Sequence, residues 1–211
     1  MTAARSMTLA LSLATLAGCA TELPAAGVAR GEVLYQNCSQ CHGDDGYGST
    51  LVHAPAIAGL PKWYLEAQLT NFQIGWRGAH ADDVEGLKMR PMSRTIKSAA
   101  DVMVVSEYVA GMPAKKSEST LHGDVAKGQA AYAVCSACHG VDGEGNEAMK
   151  APPLTQAQDW YIVKQLGKFK GGVRGYEPKN AAAATMKDIS GGIADEAAMR
   201  DLAAYIQTLP L

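Results

Sequence analysis

The chain has 211 residues and a formal net charge of −2, enough length for two small domains, with no basic excess to direct it to nucleic acid. Two phenylalanines stand against 22 glycines and 9 prolines, so domains of about 90 residues would have marginal apolar cores of their own. Four of the five cysteines are committed to two short motifs, so no disulfide framework is needed.

Residues 1–18 read as an export signal. Arg5 precedes an Ala/Leu-rich run from Thr8 to Ala17, which is too short to span a membrane. The run ends Leu16-Ala17-Gly18-Cys19, a pattern that resembles the bacterial lipoprotein box, where cleavage precedes a cysteine that is then lipidated. Cys19 is therefore the expected lipidation site, because a lone thiol there would otherwise be a redox liability. The plainer alternative is an ordinary signal peptide with an incidental cysteine. Several acyl chains would hold the protein at a membrane surface, and residues 19–30 would act as a tether.

The next stretch is Cys38-Ser39-Gln40-Cys41-His42, which recurs as Cys135-Ser136-Ala137-Cys138-His139. C-x-x-C-H is the attachment motif of c-type haem. The two thiols add across the haem vinyl groups, and the adjacent histidine reaches the iron as proximal ligand. Cys38, Cys41, Cys135 and Cys138 are thus expected to bind two covalent haem c groups, with His42 and His139 on the metals. In bacteria this attachment occurs outside the cytoplasm, which agrees with an exported protein.

The motifs are part of a longer repeat. Shifted by 97 residues, the first half lies on the second without a gap. Gly31 meets Gly128, Tyr35 meets Tyr132, Pro55 meets Pro152, Trp63-Tyr64 meets Trp160-Tyr161, Arg77 meets Arg174 and Tyr108 meets Tyr205. Matches spread over the full length point to duplication of a whole domain. The expected layout is a domain at 31–112, a polar linker at 113–122 and a second domain at 123–211.

Each repeat reads as helical. Helices are expected near 29–40 and 126–137, at 61–74 and 158–170, and near 98–111 and 195–208. Pro61 opens the second, with Gly75 and Gly78 at its end. Ser98 and Asp195 look like starts of the last. The Gly/Asp-rich pieces 43–50 and 140–147 read as loops, and no alternating strand runs appear.

A haem iron held by histidine on one face needs a ligand or a vacancy on the other. Met89 and Met186 each lie 47 residues after their histidine and seven before an isoleucine, at sites expected to be loops. Their thioethers would close the iron and raise its potential. Met92 is a rival in the first domain, but its repeat partner is Ile189. A backbone carbonyl near Pro55 or Pro152 could accept the histidine Nδ1–H. Arg77 and Arg174 could pair with haem propionates, or face solvent as loop arginines. His53, His80 and His122 have no histidine partner in the other repeat and receive no metal role. A P-loop lysine and a strand–glycine–helix context are both missing, so nucleotide binding is unsupported.

Residues 31–112 carry six Lys/Arg and nine Asp/Glu, and residues 123–211 carry nine and ten. Lys164, Lys168, Lys170 and Lys179 form a local cluster, expected to be a face for an acidic redox partner.

Taken together, the repeated motifs resemble the dihaem cytochrome c4 family, two class I cytochrome c domains in tandem, over essentially all of residues 28–211. The resemblance implies an all-α fold with pseudo-twofold domain packing and haems near the interface joined through a propionate contact. It also implies His/Met ligation, here His42 with Met89 and His139 with Met186. Family members are periplasmic, often membrane-associated, electron donors to terminal oxidases. The chain is accordingly expected to be a carrier, not an enzyme, working between redox proteins such as a quinol-oxidising complex and a terminal oxidase. It would be periplasmic and lipid-anchored. Related tandem cytochromes serve as electron-transfer subunits of dehydrogenases, which is the alternative context. A dihaem peroxidase or thiosulfate-oxidising enzyme would need an open iron and acid/base residues over it, and no repeat-breaking cluster near Met89 or Met186 supplies them.

Overall fold

The computed structural model of the protein describes residues 27–211. The expected export signal, Cys19 and the tether as far as residue 26 lie outside the described residues. Among the described residues run α1 (Val28–His42), α2 (Lys62–Ile74), α3 (Val84–Ser93), α4 (Ala99–Ala110), α5 (Val125–His139), α6 (Asp159–Lys170), α7 (Ala181–Gly191) and α8 (Glu196–Ile206). Helices α5–α8 repeat α1–α4 at the 97-residue offset. Pairing of the strand type among these residues is limited to two isolated bridges, Ser49 with Ala54 and Asn146 with Ala151. The fold is all-α.

Helix ends follow local chemistry. Ser98 caps α4 by accepting from Asp101 N–H, and Asp195 caps α8 by accepting from Ala198 N–H. Pro61 precedes α2, and Gly75 ends it in the left-handed conformation. Helices α1 and α5 end on the motif histidines. Gly43 and Gly140 follow, and their N–H groups return to the carbonyls of Ser39 and Ser136.

One expectation is corrected. Met89 and Met186 are not in loops; they sit on α3 and α7, capped by the side chains of Asp83 and Asn180. Helix α3 contains Gly86 and Pro91, which break the usual propensity pattern. Its inner face lines a cavity rather than a protein core, so it carries little apolar periodicity.

Within each half the first and last helices cross. Gly31 and Gly128 make that crossing possible: a Cβ at Gly31 would lie 2.6 Å from Tyr108 Cβ, and one at Gly128 1.9 Å from the Asp201 carbonyl oxygen. The cores are small and equivalent. Tyr35, Leu65, Ile96, Val102, Val105 and Val109 form the first, and Tyr132, Ile162, Leu202, Ala203, Ile206 and Leu209 the second. Tyr35 and Tyr132 each donate to a carbonyl just past the motif, Gly43 O at 2.6 Å and Gly140 O at 2.9 Å, tying core to haem-binding turn.

The linker is laid down on the second half. The fully buried carboxylate of Asp159 accepts from Thr120 N–H at 2.5 Å, Leu121 N–H at 2.6 Å and the Thr120 hydroxyl at 2.7 Å. Lys116 Nζ donates to Leu209 O at 2.5 Å.

Candidate functional site

The site begins at the two histidines. Both are buried, and each Nδ1 stands 2.8 Å from a proline carbonyl, His42 from Pro55 and His139 from Pro152. A carbonyl can only accept, so Nδ1 carries the proton and Nε2 keeps its lone pair. Burial holds both imidazoles below their ordinary pKa, against the opposing hydrogen bond. Each is therefore neutral at neutral pH, the form a metal requires. The prolines supply more than loop shape: their own carbonyls are the partners.

These histidines open onto a cavity of about 1030 Å³ that runs across the boundary between the halves. Cys38, Cys41, Cys135 and Cys138 line it, as do Met89 and Met186. Leu65, Leu69, Phe72, Ile162, Leu166 and Phe169 give it an apolar wall. Met92 also reaches the lining, but it is 40% exposed, whereas Met89 is half-buried.

Where the halves meet, the repeat becomes a two-sided hydrogen-bond network. Arg77 donates to Gln68 Oε1 in its own half at 2.8 Å, and to Tyr161 Oη at 2.8 Å and Gln165 Oε1 at 3.2 Å in the other. Arg174 donates to Gln165 Oε1 at 2.8 Å and to Gln68 Oε1 across the boundary at 3.1 Å. Each guanidinium also lies over a ring of its own half, Arg77 on Phe72 and Arg174 on Phe169. Burial works to lower the Arg174 pKa, and the nearby positive charge of Arg77 lowers it further. Arg174 is buried and Arg77 half-buried, so two sheltered cations share neutral hydrogen-bond partners. Trp160 Nε1 is a buried N–H with no acceptor. Cations and an orphan donor around one apolar cavity fit a flat, apolar ligand that carries carboxylates, as haem does.

The same interface joins further pairs. Gln158 bonds Ala56 N–H at 2.9 Å and the Tyr47 carbonyl at 2.9 Å, and Tyr176 Oη donates to Gly75 O at 2.6 Å. His53 meets the edge of Trp160, and its repeat equivalent Lys150 lies over Trp63.

The lysine cluster is corrected. Lys164 and Lys168 do not form an open face: they ion-pair with Glu85 and Asp83 of the first half. Lys170 is spent on the carbonyls of Gly191 and Ile193. Lys179 is exposed, and among the described residues it makes no ion pair. Partners 79–85 residues away in sequence could not be seen in the local pattern.

The family model for cytochrome c matches residues 28–113 and again 125–210. Cytochrome c4 of Acidithiobacillus ferrooxidans superposes with a TM-score of 0.68 at 27% identity, covering 83% of this chain and 99% of that one. The thiosulfate dehydrogenase TsdBA of Marichromatium purpuratum superposes with a TM-score of 0.71 at 30% identity, covering 87% of this chain and 40% of that one. The Cbb3-type cytochrome c oxidase subunit CcoP of Rubrivivax gelatinosus is 32% identical over 150 residues, 68% of this chain and 44% of the subunit. The chain therefore spans less than half the length of these last two relatives.

Proposed function

This chain belongs to the cytochrome c family, as a tandem dihaem member of the cytochrome c4 type with two covalently bound haem c groups, and we propose that it passes single electrons between membrane-associated respiratory partners. The observation that carries the reading is the single cavity reached by both C-x-x-C-H motifs, with both candidate methionines on its wall. When bound, the haem groups supply one-electron Fe(III)/Fe(II) exchange.

The residues divide the remaining work. Cys38, Cys41, Cys135 and Cys138 hold the cofactor covalently. His42 and His139 present neutral Nε2, fixed in direction by the Pro55 and Pro152 carbonyls. Met89 on α3 and Met186 on α7 line the same cavity and would supply a second ligand to each iron. A soft, neutral thioether would favour the reduced state and would leave no position for a substrate. The apolar wall keeps water away, which limits reorganisation. Arg77, Arg174 and Trp160 would take the propionates. That role would answer the two sheltered cations and the orphan donor at the boundary between the halves.

Partners are inferred from likeness. The likeness to part of an oxidase subunit and to part of a thiosulfate dehydrogenase supports an oxidase or a dehydrogenase as the neighbour in the chain of transfer. We read the chain as the carrier and not the enzyme. Among the described residues no helix is long and apolar enough to cross a membrane. We place it in the periplasm, held to a membrane by lipid on Cys19.

The test is the spin state and ligand set of both haems in the ferric holoprotein, by EPR and the methionine-to-iron absorption in the red. Two low-spin His/Met centres per chain are expected. One high-spin, peroxide-reactive centre would overturn the carrier reading for that domain. Cys19→Ser should release the protein from membranes, and retention would overturn the anchor.

A further inference from the structure

The ion cluster between the halves breaks the repeat, and it does so at one of the two methionine helices. Asp83 caps α3, accepting from Gly86 N–H at 3.1 Å, and is 2% exposed. The same carboxylate oxygen pairs with Lys168 of α6 at 2.5 Å. Glu85, one turn above Met89, pairs with Lys168 at 2.6 Å and Lys164 at 2.6 Å. The first turn of α3 is therefore clamped to the second domain by both ends of one acidic pair. At the equivalent positions of the other half the charges are gone. Asn180 caps α7, Ala182 stands for Glu85, and Asn71 and Ala67 stand for Lys168 and Lys164.

We propose that Lys168, assisted by Lys164, is a positioning residue for Met89, so that methionine ligation in the first domain depends on docking of the second. The proposal rests on Met89 being the first domain's axial ligand. A cap that is also an interdomain ion pair gives α3 a seat only while α6 is in place. Removing one member of so sheltered a cluster leaves carboxylates without their counter-charge, which the helix relieves by moving. Helix α7 has its own uncharged cap and no such dependence. The two haems therefore differ in how firmly their methionines are held, with the first domain's under interdomain control.

The experiment uses the holoprotein with Met186→Ala, in which the remaining methionine-to-iron absorption belongs to the first domain. Adding Lys168→Ala is expected to weaken that absorption and to raise the affinity for added imidazole about tenfold. Lys168→Arg should restore most of it, and Lys179→Ala should leave it unchanged. Glu85→Gln strains the same clamp from the other side and should move affinity in the same direction. In a Met89→Ala background, Lys168→Ala should leave the Met186 absorption and imidazole affinity as they were. Unchanged imidazole binding at the first haem in both Lys168→Ala and Glu85→Gln overturns the proposal. Equal loosening of both haems overturns it too, by making the lysine a general tie. Undiminished absorption in Met89→Ala alone removes the ligand assignment itself, and is read separately from the lysine variants.

Discussion

Arg77 of the first domain donates to the Tyr161 hydroxyl of the second at 2.8 Å, and the pair is the hinge point of a network that the repeat builds twice over. Burial alone would raise the Tyr161 phenol. The charges of Arg77 and Arg174 and the Arg77 hydrogen bond outweigh it and hold the phenol below its ordinary value. A phenol so placed acts as an acceptor. Tyr161→Phe should therefore cost more than its loss of one oxygen implies, because it strips a half-buried cation of a partner. The expected loss is about 1–3 kcal/mol of holoprotein stability, read by denaturant titration. No change in midpoint would mean that the guanidinium is satisfied elsewhere.

Haem content should follow the motifs independently. Cys38→Ala with Cys41→Ala is expected to halve the haem per chain measured as pyridine haemochrome, leaving the second domain's spectrum intact. Because each small core relies on its cofactor for apolar contact, the depleted domain should melt earlier than its partner. A chain that loses both haems together would mean that the halves mature as one unit.

Much of this architecture was legible in the residues. The offset that lays Tyr35 on Tyr132 and Trp63 on Trp160 carried the tandem all-α layout, and Ser98 and Asp195 marked helix starts that the structure keeps. The methionine helices were harder. Helix α3 presents Gly86 and Pro91, and its inner face meets a cavity instead of a core, so the usual period is blurred. Helix α7 did carry a signal, since Ala181–Ala184 follows a capping Asn180 and its helix transfers to α3 by the repeat. The interdomain contacts had no local signal at all. Lys168 finds Asp83 only after both domains fold and dock, so its sequence neighbourhood looks like a solvated face. Arg77 and Arg174 were legible as a repeated pair, but not their shared grip on Gln68 and Gln165.

Close helix crossing gives a sharp stability prediction. Gly128→Ala would drive a Cβ to 1.9 Å from the Asp201 carbonyl oxygen, a backbone atom that cannot rotate away. Gly31→Ala meets the Tyr108 side chain at 2.6 Å and the Val104 carbonyl at 2.8 Å, a less severe clash. Both should destabilise, by about 1–3 kcal/mol or more, with Gly128→Ala the worse. Thermal melts of the two single variants would check the order, and the reverse order would mean that α8 yields more easily than α4.

The linker offers a proteolytic readout. Asp159 is fully buried, and burial would raise its carboxyl. Hydrogen bonds from Leu121 and Thr120 instead hold it below the usual range. Asp159→Ala removes the acceptor for those groups together, at an expected cost of about 1–3 kcal/mol for each donor left buried. The linker should then lift, and trypsin should cut after Lys115 or Lys116 faster than in the unaltered protein. Cleavage at the original rate would place the linker's hold elsewhere, on Lys116 and its bond to Leu209 O.

The interdomain clamp should give stability a particular pH dependence. Burial pushes the Glu85 carboxyl up, but hydrogen bonds from Lys164 and Lys168 overcome this and bring it down to about 2. The folded value is the lower one, so the folded protein binds fewer protons there than the unfolded chain across the intervening range. Stability from Glu85 is then fully present above the ordinary carboxylate value, near pH 4.3, and falls away as pH drops towards 2. Melting temperature followed from pH 6 to pH 2.5 (about the acid range in which carboxylates titrate) should drop less steeply in Glu85→Gln than in the unaltered holoprotein. Parallel curves for the two proteins would show that Glu85 keeps its ordinary value and that the lysines do not reach it in solution.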